Sequence, residues 1–184
     1  TPHTVADLRY SYNHASAQQP ALWSQTSVES SLQDRYYSAG TCFGCGPCNH
    51  HGLQIKSYSA SNGVAATWTA SDKYDNGFGF VNGGIISTLL DCHSAACIMK
   101  ETVDRYGDFC IDDFEHFDEK HPVYLTNQIN VTFRRPILLY RPVELFSECV
   151  SWNDDACQFR SELRFDGKLA ADADVAWKRF RSRR

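Results

Sequence analysis

The sequence lacks any apolar run of the roughly 18–20 residues that a membrane-spanning helix needs. Residues 1–30 also lack the apolar core of a secretory signal: they are polar, with Pro2, Pro20 and scattered Ser and Gln. Nor is there an excess of positive charge. Eighteen Lys and Arg against 22 Asp and Glu give a net charge of −4, which argues against a general nucleic-acid binder despite a basic tail from Lys178 to Arg184. With no secretion signal, the eight cysteines read as mostly reduced thiols, and the expected compartment is the cytoplasm. Neither a membrane nor a nucleic acid is an expected partner.

What is present is an ordinary globular composition, 42% hydrophobic and 22% charged over 184 residues, enough for one domain with an appended N-terminal segment. Its organising stretch is Asn82 to Met99, N-G-G-I-I-S-T-L-L-D-C-H-S-A-A-C-I-M, where Asp91 is the only formal charge. Ile85, Ile86, Leu89, Leu90, Cys92, Ala95, Ala96, Cys97, Ile98 and Met99 surround that carboxylate on nearly every side. A helix apolar all round is a buried helix, and a carboxylate in it is costly unless it is paired or functional.

Around this helix the chain reads as strands. Residues 1–40 form an arm with an amphipathic helix expected over 21–37 (Leu22, Val28, Leu32, Tyr36). Thr41 to Gly52, T-C-F-G-C-G-P-C-N-H-H-G, is a compact loop. Asn62-Gly63 turns one strand into the next, and Y-D-N-G-F-G-F-V (Tyr74–Val81) leads into the helix. An acidic stretch over 104–119 reads as a solvated excursion. Four strands follow, with apolar and polar residues alternating: Ile129, Val131 and Phe133 against Asn130, Thr132 and Arg134, then later Cys157, Phe159, Leu163 and Phe165 against Gln158, Arg160, Glu162 and Arg164. Such alternation predicts an antiparallel sheet with one wet face. The element order, hairpin then helix then strands, is α+β: a curved antiparallel sheet wrapped around one long central helix.

The run N-G-G-I-I-S-T-L-L-D, preceded by C-F-G-C-G-P-x-N-x-x-G-L, resembles the hotdog-fold thioesterases of the phenylacetate-pathway (PaaI-like) type. In that family the helix signature is H-G-G with an acidic residue nine positions after the His. Asn82 stands here at the His place and Asp91 nine residues later. Asn76-Gly77 sits six residues before Asn82, at the spacing of a family Asn-Gly, and T-N-Q-I-N-V-T-F-R-R-P-I resembles the strand that follows the helix. The resemblance covers roughly residues 41–178 of a domain expected over 41–180, with 181–184 a basic tail. It implies hydrolysis of an acyl-CoA thioester of small or medium acyl group, no cofactor and no metal. It also implies a homodimer or dimer of dimers with active sites between subunits. A non-catalytic acyl-CoA-binding or regulatory hotdog protein is the alternative.

The residues suit that chemistry. Asp91 is the candidate general base or nucleophile, with a pKa raised by partial burial. Ser94, three residues on, lies on the same helical face as a group to position water. Gly83 and Gly84 carry no Cβ, and the unpaired amides of a helix start point at an approaching carbonyl. Asn82 is either a donor in place of the family His or an N-cap, and Asn76 is polar support. The helix rise puts Asp91 about 13 Å from Asn82, too far for both to serve one carbonyl, so a second subunit's helix is expected to complete the site. Arg134, Arg135 and Arg141 are candidates for the coenzyme A phosphates, and Phe78 and Phe80 for an apolar or aromatic acyl pocket. Cys42, Cys45 and Cys48 with His50 or His51 have the spacing of a structural zinc set. No second C-x-x-C accompanies them, and a tight turn through Gly44, Gly46 and Pro47 is preferred.

Overall fold

The computed structural model describes residues 30–108, 111 and 122–181, and the elements named here lie among them. They are α1 (Leu32–Tyr36), β1 (Ser57–Ala60), β2 (Gly63–Thr69), α2 (Gly83–Tyr106), β3 (Tyr124–Phe133), β4 (Pro142–Trp152), β5 (Ala156–Phe165) and β6 (Lys168–Arg179). Of the helix expected over 21–37, only Leu32–Tyr36 is helical among the described residues, with Ser31 and Tyr37 as its caps; residues 21–29, most of the acidic stretch and the last three residues lie outside the described ones.

One antiparallel sheet runs in the order β1-β2-β4-β5-β6-β3. Its turns follow from the sequence. Asp166 and Gly167, at φ 49° and 70°, make the β5–β6 hairpin. Gly63 opens β2 where a Cβ would stand 2.0 Å from the Ser147 carbonyl oxygen, so no larger residue fits that strand pairing. Asn153 Oδ1 accepts the Asp155 and Ala156 amides and closes the β4–β5 turn. The alternation in β5 appears as burial of Cys157, Phe159, Leu163 and Phe165.

The helix α2 lies against the buried face of this sheet. Leu89, Leu90, Ala96 and Cys97 are fully buried in one core with Leu145, Phe159, Leu163, Ala171 and Val175. Asn82 caps its start, its side chain accepting the Gly84 amide, and Gly107 (φ 92°) ends it. The apolar sequence of this helix is therefore the inner layer of the fold.

Its one buried histidine is held in a closed chain of hydrogen bonds. His93 Nε2 lies 3.1 Å from the Val64 carbonyl and Nδ1 2.9 Å from Ser57 Oγ. Because a carbonyl only accepts, Nε2 carries the proton and Nδ1 accepts from Ser57. Gln33 Nε2 donates to Ser57 Oγ at 3.1 Å and Gln33 Oε1 accepts the Ser57 amide at 2.8 Å, which fastens α1 to β1. Burial pushes the His93 ring down to about 4, so it is neutral. His93→Leu leaves Ser57 and the Val64 carbonyl without this partner and is expected to cost roughly 2–4 kcal/mol by urea unfolding.

Candidate active site

Two groups of residues lie along α2. The first is at its start. The loop before it is built by side-chain turns: Asp75 Oδ1 accepts the Gly77 and Gly79 amides at 2.8 Å each, and Asn76 Oδ1 accepts the Phe78 amide at 2.9 Å. Gly77 and Gly79 have φ of 91° and 84°, which is why the loop alternates glycine and phenylalanine. The Asn82 amide then donates to the Tyr74 carbonyl at 2.9 Å, aiming the chain into the helix. Phe78 is exposed and Phe80 half-buried in a bridge to Leu138.

At this start the expected pair of glycine donors is reduced to one. Asn82 Oδ1 sits 2.8 Å from the Gly84 nitrogen and takes that amide for the cap. The first bond within the helix is Ile86 N to Asn82 O, 3.1 Å, so the Gly83 and Ile85 amides are the first-turn donors left for a ligand. Phe133 at the end of β3 stands beside Gly83: a Cβ there would meet its ring at 3.5 Å.

The second group is centred on Asp91, half-buried in mid-helix. Its Oδ1 accepts from the Thr126 hydroxyl of β3 at 2.9 Å. Burial pushes the Asp91 carboxyl above the usual carboxylate range; the Thr126 hydrogen bond opposes that rise, and the Cys42 sulfur nearby adds to it. Sequence reasoning did not single out Thr126, although it lies in the strand segment that carried the resemblance. Ser94 is a correction. It is fully buried, its hydroxyl donating to the Asp91 backbone carbonyl at 2.7 Å and accepting from Trp177 Nε1 at 3.0 Å. That hydroxyl is engaged inside the core and does not reach water beside the carboxylate.

Behind Asp91 lies a thiol group. The Sγ atoms of Cys42, Cys45 and Cys92 all lie within 4.8 Å of one another, and Cys42 and Cys92 are 3.7 Å apart. Hydrogen bonds from Cys45 and then Cys92 hold the Cys42 thiol down to about 2, and donating to Cys42 pushes Cys45 up to about 12. Cys48 is elsewhere, exposed, with its Sγ on the Ser38 carbonyl at 3.3 Å. Of the three cysteines in C-x-x-C-x-x-C, the fold keeps Cys42 and Cys45 together, leaves Cys48 apart and brings Cys92 to them from the helix.

The arginines divide. Arg134 pairs through Nε with Asp172, and Arg141 with Asp166 at 2.8 Å. Arg135 is exposed and has no ion-pair partner among the described residues.

Within one chain the two groups stay apart, Gly83 and Asp91 being separated by about 12 Å of helix. β3 spans both, with Thr126 at Asp91 and Phe133 at Gly83, and among the described residues it pairs with β6 alone. No described strand pairs with its other edge, and Leu125 and Phe133 on it are exposed.

Solved structures share this arrangement of helix and sheet. A phenylacetic acid degradation-related protein of Ralstonia eutropha superposes with a TM-score of 0.54 at 19% identity, over 68% of this chain and 85% of that one. The Escherichia coli PaaI protein of the phenylacetic acid degradation operon gives 0.54 at 16%, over 69% and 84%. A Streptococcus mutans protein bound to acetyl-CoA gives 0.54 at 19%, over 71% and 91%. The chain has the hotdog fold. No protein-family model and no curated protein sequence matches it. Among the described residues of this hotdog fold, no helix is long and apolar enough to cross a membrane.

Proposed function

We propose that this hotdog protein is an acyl-CoA thioesterase working as a dimer. The observation that carries the reading is the Asp91 carboxylate, half-buried on an otherwise apolar helix, with its pKa raised and Thr126 as its side-chain partner. A carboxylate so held is a stronger base than a solvated one, and it is able either to draw a proton from water or to attack a thioester carbonyl directly. The acetyl-CoA bound to a protein of the same fold supports the choice of ligand.

The dimer supplies the missing half. Two β3 strands paired antiparallel about a twofold between Ile129 and Asn130 bring the Phe133 end of one copy opposite the Thr126 end of the other. The start of the second α2 then approaches Asp91 of the first. Each site takes its base from one copy and its oxyanion donor, the Gly83 amide, from the other. Asn82, its Oδ1 engaged in the cap, keeps its amide Nδ2 as a further donor to the carbonyl. Arg135, just beyond β3, is the phosphate contact, and Phe78 and Phe80 line the way to the acyl group.

Free-thiol release measured across a panel of acyl-CoAs tests this directly. Saturable turnover of at least one is expected; saturable binding with no release indicates the alternative, a non-catalytic acyl-CoA-binding protein. Thr126→Ala removes a hydrogen bond to the carboxylate and is expected to lower kcat roughly tenfold with KM little changed.

A further inference from the structure

We propose that Cys42, Cys45 and Cys92 form a three-thiolate zinc site that clips the 41–48 loop to the central helix. The loop has the form C-x-x-C-G, closed by a bond from the Gly46 amide to the Cys42 carbonyl at 2.9 Å. The turn sets Cys42 and Cys45 side by side, their Sγ atoms within 4.8 Å of each other.

The third sulfur arrives from α2, fifty residues along the chain. Zinc–sulfur bonds of about 2.3 Å in tetrahedral geometry set the sulfurs about 3.8 Å apart; the Cys42–Cys92 separation is 3.7 Å and all three atoms fall within 4.8 Å. Gly44 is what allows this approach, since a Cβ there would stand 2.2 Å from the Cys92 sulfur. Cys45 and Cys92 are buried and Cys42 half-buried, so the fourth position faces solvent on the Cys42 side and takes a water.

Charge and softness choose the metal. Thiolates select soft or borderline cations over magnesium and calcium. Three thiolates with zinc(II) leave one net negative charge, whereas copper(I) would leave two in a largely buried place beside Asp91, at greater cost. Binding is balanced by proton release: each of the three cysteines that carries a thiol proton gives it up as zinc(II) takes its sulfur.

Elemental analysis of the untagged full chain, grown with zinc and purified without chelator, tests the site. One zinc per chain is expected. Cys92→Ser and Cys42→Ser are each expected to weaken zinc binding by more than the roughly 10–100-fold that loss of an outer hydrogen-bond partner costs, while Cys48→Ser retains the metal. Cobalt(II) exchanged into the wild type gives a thiolate-to-cobalt charge-transfer band that both ligand variants lose. The half-buried Cys42 keeps the test valid if Cys92→Ser does not fold. Background zinc in the wild type, zinc retained in Cys42→Ser, copper in place of zinc, or a disulfide joining two of the three cysteines in the purified chain would each overturn the site.

Discussion

Asp91→Asn is expected to lower kcat/KM for thioester hydrolysis by about 10²–10⁴-fold, the contribution of a positioned general base. The substitution suits the site because asparagine keeps the shape of the carboxylate and an oxygen to accept the Thr126 hydroxyl, which lies 2.9 Å from Asp91 Oδ1. What it removes is the charge and the basic lone pair. Burial already disfavours that charge, as the raised pKa records, so a neutral amide is expected to leave the melting temperature unchanged or higher. Loss of turnover with a retained fold separates chemistry from stability. Turnover equal to wild type would remove Asp91 from the reaction.

Gly83→Pro is expected to lower kcat/KM by about 10²–10³-fold, as does deletion of one oxyanion donor elsewhere. Gly83 is the first residue of the helix. Proline is favoured there because its fixed φ suits the helix and the missing N–H had no helical acceptor. The preceding Asn82, at φ −60° and ψ 138°, already has the extended conformation that a following proline requires. The exchange thus deletes one amide proton and little else. Gly83→Ala keeps that proton and adds a methyl at ordinary contact, 3.5 Å from the Phe133 ring, and is expected to retain more activity than the proline variant. Equal activity in Gly83→Pro and wild type would point to a different donor, such as the Ile85 amide.

Much of the fold was legible because burial is written periodically. The apolar run Ile85–Met99 announced a buried helix, and the alternation in β5 announced its inward face, Cys157, Phe159, Leu163 and Phe165. β3 shows the same alternation, yet Phe133 is 53% exposed and Leu125 52%. Alternation reports which residues share a face but not whether a neighbour covers it, and an edge strand lacks that neighbour. Asp91 stood out as a lone charge, whereas Thr126 is an ordinary strand residue until the fold brings it to the carboxylate. Ser94 shows the limit of helical spacing. Three residues from Asp91 it shares a side of the helix, but Trp177, 83 residues away, draws its hydroxyl inward. Likewise Cys48 shared the spacing of Cys42 and Cys45, while Cys92 shares their space.

The decisive measurement co-expresses Asp91→Asn and Gly83→Pro chains and assays the purified mixture for thiol release. If each site joins Asp91 of one copy to the helix start of the other, a mixed dimer holds one intact site and one doubly defective site. Half of randomly paired dimers are mixed, so roughly a quarter of the wild-type rate returns. A rate that stays at the level of the two single variants would mean that both residues act within one chain, or that one of them does not act at all.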